Sequence, residues 1–547
     1  MSNENNIPDY AMVPAKEISP SELIPITEGL QYDNVQVTNV EIPEPIFFTI
    51  EEDILVPDVK PDLSEILLMD GNVSLATREI VHMAKDDEML TISGDIQLQT
   101  LYLPEKNQGA YTIISIHNKI PFKDQIKAKP FTTIVLSCEI DKIEFSVINE
   151  RKYRAKITLR LLEKEYSDQR LSIFRGIEGE DIQCLKEMRL ISSVASRTKD
   201  MLSISEEITP SSDYSPEEIL FSRITALENY MQITSDKAII SGFIYVTLLY
   251  KIKSSNDDLT CESFQQIKEK VEFTQFIPLH ISTEAMGYSP VFDSGNLRLY
   301  LDKNEDGRSI FRLEGNLVTH IELYNASQVE IISDAYHKER TLKFDTTTLQ
   351  SRITVANLTC ENSLREIFSP ELRGREVQCI LYTCSKVIGA DTYASQGLLT
   401  TEGIIGVDML CLSADEDAEI IKVSGEFPFR LSMTRSNNDL SDEYVTKVFI
   451  KDFWAEKING KQLEFNASLL ANVEIIRTSS FSLITNPGFE GSRSDEASYP
   501  IIIYTCKSGD ALWDIAKRFK TTVSSISSIN DLEGEVIEPN KKLLILR

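Results

Sequence analysis

No stretch of the chain approaches the ~18 consecutive apolar residues of a membrane-crossing helix, so no transmembrane segment is expected. Basic residues are in the minority. Lys and Arg number 56 against 85 Asp and Glu, a net charge of −29. Such a surface repels phosphate backbones, which argues against nucleic acid as a partner. The opening residues, MSNENNIPDY, hold no basic segment followed by an apolar one, so a secretory leader is not expected. Histidine is scarce, and the five residues at 82, 117, 280, 320 and 337 show no metal-ligand spacing. The motifs GxxxxGK[ST], HExxH and GxSxG are missing. The expectation is a protein that is not an enzyme and needs no metal or cofactor. Cysteines stand at 138, 184, 261, 360, 379, 384, 411 and 506, with no CxxC. That scatter predicts reduced thiols in a cytosol rather than a disulfide framework.

What the chain does have is enough apolar residue, 42% of 547, for several cores. Residues 1–45 carry six prolines and little periodicity, and read as a disordered or extended arm. From about residue 46 the pattern has period two and repeats. Ile92-Ser-Gly-Asp-Ile-Gln-Leu98 aligns with Ile240-Ser-Gly-Phe-Ile-Tyr-Val246 and with Thr401-Glu-Gly-Ile-Ile-Gly-Val407. Past the shared glycine, alternate residues are apolar or Thr: Ile96, Leu98, Thr100; Ile244, Val246, Leu248; Ile405, Val407, Met409. Each glycine is followed by an apolar-x-Phe pattern: Ile120–Phe122, Val271–Phe273 and Phe427–Phe429. A long alternating strand closes each copy, carrying Ile157, Leu159 and Leu161, then Leu317, Ile321 and Leu323, then Leu463, Phe465, Ala467 and Leu469. Such alternation places one face of a strand on a core.

These patterns predict a mainly β fold with three tandem antiparallel β-sandwich-like repeats, at 46–170, 199–335 and 347–485. Short acidic helices are expected at Pro61–Leu67 and Ser215–Leu220. Asp302–Gly307 opens like a calcium loop, but position twelve is Leu313, so a hairpin turn is the better reading. Asp415–Glu419 reads as a solvated acidic loop. Residues 486–500, rich in Gly, Ser and Pro, read as a flexible linker.

The last segment, 501–547, differs from its carrier. It holds seven Lys and Arg against six Asp and Glu, a net of +1, which leaves the rest at −30. Ile501–Thr505 reads as a strand and Gly509-Asp510 as a turn, with Asp510 placed to cap a helix. Leu512, Ile515, Ala516 and Phe519 recur at helical spacing, and Thr521 or Thr522 can cap a second helix through Val523, Ile526 and Ile529. Lys542–Leu546 is a closing strand, giving the order βααβ.

Tyr504, Gly509, Asp510, Leu512, Ile515, Ala516, Asn530, Ile537 and Leu543 match the signature of the LysM family, which this segment resembles. The resemblance implies a groove between Gly509–Trp513 and Asn530–Ile537 that reads N-acetylglucosamine polymers. Ala511 stands where a Thr or Ser hydroxyl is usual, Asn540-Lys541 replaces Gly-Gln, and Trp513 adds an aromatic. A groove that has lost polar contacts fits a protein partner at least as well as a sugar. Trp513 reads either as an apolar anchor or as a partly buried helix residue. Groove candidates are therefore Gly509, Asp510, Ala511, Leu512, Trp513, Asn530, Ile537 and Lys541, with Lys507, Lys517 and Lys541 steering toward an acidic surface.

The β-rich repeats before a LysM-like end resemble clostridial spore-coat morphogenetic proteins with SPOCS-type domains. That resemblance implies a non-catalytic scaffold in the mother-cell cytoplasm at the forespore surface. Its LysM-like end would bind the coat's basement-layer ATPase. The alternative is a protein that binds peptidoglycan or other N-acetylglucosamine polymers.

Overall fold

The glycine-anchored strands fold as their alternation requires. Ile96, Leu98, Thr100, Ile244, Val246, Leu248, Ile405, Val407 and Met409 are all buried. Each run is the middle strand of a three-stranded antiparallel sheet. Glu88–Pro104 lies between Leu63–Leu75 and Ile114–Ala128. Lys237–Ile252 lies between Pro216–Ile233 and Phe264–Pro278, and Leu398–Ser413 between Val377–Ser395 and Ile420–Thr434. A second sheet faces each of these, built on a long strand: Lys152–Ile177, Ser309–His337 or Gln462–Glu490. Ile157, Leu159 and Leu161, with their counterparts in the other copies, fill the space between the sheets. The chain is therefore mainly β, with three tandem antiparallel sandwiches before a small βααβ module.

The computed structural model describes residues 23–25, 29–105, 113–210, 215–234, 236–253, 260–279, 287–372, 374–395, 397–415, 419–435, 442–490, 501–532, 534 and 537–546.

Two features join the sandwiches. The first is a pair of bulges in each outer strand, at Leu63/Glu65 and Ile66/Leu68, at Pro216/Glu218 and Ile219/Phe221, and at Val377/Cys379 and Ile380/Tyr382. A bulge resets alternation, so neighbouring residues can serve different cores. Ile66 packs into its own sandwich, while Leu67 and Leu68 enter a shared cluster. Leu220, Phe221, Leu381 and Tyr382 join the same cluster from the other two copies. This corrects the helices expected at Pro61–Leu67 and Ser215–Leu220. Both segments lead into strands, and their consecutive apolar residues serve two cores rather than one helix face.

The second feature is a bundle of three two-stranded ribbons, here termed the stalk. The long strands outrun their sandwiches and pair beyond them. Lys152–Ile177 pairs there with Leu30–Glu41, Ile182–Ile208 with Ser309–His337, and Thr341–Phe368 with Gln462–Glu490. Val37, Ile173, Ile191, Ile331, Leu349, Phe481 and Leu483 bring the ribbons into one buried cluster. Phe174, Ile177, Ile332, Ala335, Ile484 and Phe489 form another. Between ribbons, the Tyr166 hydroxyl donates to the Glu322 carboxylate, and Arg197 lies 3.7 Å over the Tyr166 ring.

The stalk changes three expectations. The arm expected over 1–45 is partly ordered: Leu30–Glu41 is a paired strand, and Leu23–Pro25 pairs with Gly488–Glu490. Residues 1–22 and 26–28 lie outside the described residues. The linker expected over 486–500 does not begin at 486, because the strand Gln462–Glu490 runs through that point. Residues 491–500 lie outside the described residues. Thirdly, the gaps left between repeats are themselves strand, because the hydrogen-bonded ribbons continue through them.

The thiols also depart from expectation. Cys261 and Cys379 form a disulfide joining the second and third repeats across 118 residues of sequence. Their packing beside the shared cluster brings the two Cα atoms to 6.1 Å, which spacing along the chain does not reveal. The other six cysteines are free, and Cys384, Cys411 and Cys506 among them are buried. At Asp302–Gly307 the chain makes a hairpin turn, with Arg308 N–H donating to Asn304 Oδ1 at 2.9 Å. Residues 416–418 of the acidic loop and His280 lie outside the described residues.

Candidate functional site in the C-terminal module

The module is built as its sequence periods dictate. Strands Ile501–Thr505 and Lys542–Leu546 pair antiparallel. Helix α1 spans Leu512–Phe519 and α2 spans Val523–Ile529. Leu512, Ile515, Ala516, Ile526, Leu543 and Ile545 form the core, with Ile537 packed against it. Thr522, not Thr521, caps α2 by accepting from Ser525 N–H at 3.0 Å. Thr521 Oγ1 instead donates to the Leu546 carbonyl at 2.9 Å.

Asp510 does not cap α1, as the sequence led one to expect. The cap position belongs to Ala511, which has no side-chain acceptor. The Asp510 carboxylate turns back to its own loop, accepting from Tyr504 Oη and from Lys507 N–H, both at 2.8 Å. The Lys507 amide first, and the Tyr504 hydroxyl second, hold this carboxyl below the usual range. Gly509 provides the reversal that permits this, at a φ of 90°.

Asn530 is likewise committed. Its amide donates to the carbonyls of Ile526 and Leu544 and accepts from Leu544 N–H, at 2.8, 2.7 and 2.6 Å. These bonds fasten the end of α2 to the last strand. Lys507, Gly509, Ala511 and Lys541 are exposed, while Leu512 is buried in the core. Of the groove candidates, then, Asp510 commits Oδ2 and Asn530 its side-chain amide to bonds within the module.

Trp513 and Lys517 lie one helical turn apart on α1 and point out of the module, to the stalk. Trp513 Nε1 donates to Asp334 Oδ2 at 2.7 Å, and Lys517 Nζ donates to both Asp334 oxygens at 2.7 and 2.8 Å. Trp513 is half-buried. It is a partly buried helix residue whose contacts are with the stalk of this chain.

Residues 504–546 match the family model for the LysM domain. This module is a LysM domain. The match spans 43 of 547 residues, so it speaks for the module and not for the sandwiches. At the coarse level the chain carries a binding domain of the peptidoglycan- and carbohydrate-binding kind, not a catalytic one.

One surface of the LysM domain escaped the sequence reading. Ile501 and Ile503 on one strand pair across with Leu546 and Leu544 on the other. Their side chains are 60%, 69%, 40% and 37% exposed. The outer face of this two-stranded sheet thus carries four aliphatic residues, with Thr505 and Lys542 at its end. A strand with one wet face should alternate apolar and polar. Ile-Ile-Ile-Tyr and Leu-Leu-Ile-Leu are apolar at both parities, and that was the available signal.

Proposed function

We propose that the chain is a non-catalytic adaptor whose LysM domain binds a protein through its aliphatic sheet face. The observation that carries this reading is the cross-strand quartet Ile501, Ile503, Leu544 and Leu546 in solvent. Exposed aliphatic side chains in one patch mark protein contact more than sugar contact, because a sugar reader needs fixed, free polar groups. The groove positions offer few of these. Asp510 and Asn530 are hydrogen-bonded internally, and Ala511 has no hydroxyl.

The finer reading rests on resemblance. The repeat-plus-LysM order is similar to that of SipL, a clostridial spore-coat morphogenetic protein. On that reading the partner is the coat's basement-layer ATPase, the place is the mother-cell cytoplasm at the forespore surface, and the sandwiches form the scaffold. The second reading, an N-acetylglucosamine-polymer binder, is favoured by the LysM match itself.

Mixing the purified full chain with the basement-layer ATPase, and separately with insoluble peptidoglycan, distinguishes them. The adaptor reading expects co-elution with the ATPase and no pelleting with glycan. Pelleting with glycan and no co-elution would reverse the assignment.

A further inference from the structure

The aliphatic sheet face of the LysM domain is exposed, whereas its α1 face meets the stalk. We infer that the α1 face is a docking surface for the stalk of this same chain, and that the stalk acts as a displaceable cover over Trp513. This inference concerns a different face from the one proposed above and does not depend on what that face binds.

The cover is an acid–x–aromatic pair, Asp334 and Tyr336, in the strand Ser309–His337. A bulge precedes it, because Leu185 pairs with Asp334 and Lys186 with Ile332, which leaves Ser333 without a register partner. Bulges re-aim the residues beside them. Here Asp334 and Tyr336 face the module while Ala335 between them turns into the stalk core.

Both residues fit the α1 face. Asp334 takes the indole N–H of Trp513 and the ammonium of Lys517 at once. Tyr336 meets the Trp513 ring edge-to-face, with centroids 5.0 Å apart. Its hydroxyl donates to the Thr521 carbonyl, in the turn after α1, at 2.5 Å. Although its backbone belongs to the stalk, Tyr336 is only 5% exposed and sits in the LysM core cluster. A third stalk residue, Phe344, has its ring 6.0 Å from Lys517 Nζ.

The contact joins a near-neutral domain to an acidic body through the Asp334 carboxylate and the rings of Tyr336 and Phe344. Such a contact sets an equilibrium between docked and free that a ligand of Trp513 must compete with. While docked, the Trp513 indole is unavailable as an anchor or a stacking platform. The open sheet face is held in a fixed orientation by the same contact.

The test uses the full chain with Trp454→Phe, so that Trp513 is the single tryptophan. Acrylamide quenching and the emission maximum report its exposure. The inference expects a shielded, blue-shifted Trp513 that becomes quenchable and red-shifted in Asp334→Ala and in Tyr336→Ala. Asp334→Lys, which sets a donor against the Trp513 and Lys517 donors, should also open the contact. Circular dichroism of each variant checks that the strands persist. A Trp513 as quenchable in the parent as in Asp334→Ala overturns the inference. So does a folded Asp334→Lys chain in which Trp513 stays shielded.

Discussion

Phe122 lies across the strand pair from Gly94, with its ring directly over the glycine. A Cβ at Gly94 would stand 2.6 Å from the ring Cζ and 2.4 Å from the Ser74 carbonyl oxygen. Phe273 covers Gly242 and Phe429 covers Gly403 in the same way. The aromatic fills the volume that the missing side chain leaves, and the backbone behind blocks any retreat. Gly242→Ala should therefore destabilise by about 1–3 kcal/mol through overpacking. Gly389→Ala is the control, since a Cβ there meets nothing within 4 Å. Denaturant midpoints of the two variants check this, with a large drop expected for Gly242→Ala alone.

The sandwiches are also clamped to one another by glutamines. Gln99 donates to the Ser222 carbonyl at 2.8 Å and accepts from its amide at 3.0 Å. Gln266 does the same with Thr383, at 2.7 and 3.2 Å. Each substitution to Ala strands a backbone pair and should lower stability by about 1–3 kcal/mol. The two sites share no partner, so the double variant should show nearly the sum. Chemical denaturation of the single and double variants measures both effects.

The repeat unit was legible in the sequence because its signals are local. Gly94 with Phe122, and the alternation through Ile96 and Leu98, lie within thirty residues of each other. The joints between repeats were not legible. Pro61–Leu67 reads as a short helix because bulging, like helix, brings neighbouring apolar residues into burial. Gln99 and Gln266 look like any surface amide. Val37 is buried by a strand more than a hundred residues away, so the prolines and weak periodicity around it suggested a disordered or extended arm. In the LysM domain the fold was legible to the strand ends, but Asp334, the partner of Trp513, is a lone acid in a different repeat.

The disulfide makes a direct prediction. Digestion under non-reducing conditions should yield a linked peptide containing Cys261 and Cys379, which reduction separates. Cys261→Ser should lower stability by about 2–4 kcal/mol, as expected for opening a long loop. An unlinked pair of peptides in the oxidised protein would remove this joint from the account.

His320 makes the stability depend on pH. Burial first, then Arg78 and Lys199 nearby, push its pKa down to about 4. An unfolded histidine titrates near ~6.5, so the unfolded chain takes up the proton first. The contribution is full above ~6.5 and is lost as pH falls from there toward the folded value. Thermal midpoints should fall between pH 7 and pH 5, and His320→Asn should flatten that slope. An unchanged slope would mean that the ring is not held neutral.

The most direct test of the central claim is the affinity of the full chain for the basement-layer ATPase when the sheet face is changed. Ile503 is 69% exposed and outside the domain core, so Ile503→Arg should leave the LysM fold intact. A loss of about tenfold or more, equivalent to at least about 1.4 kcal/mol, is expected with an unchanged circular dichroism spectrum. Undiminished affinity for the ATPase in Ile503→Arg would contradict it.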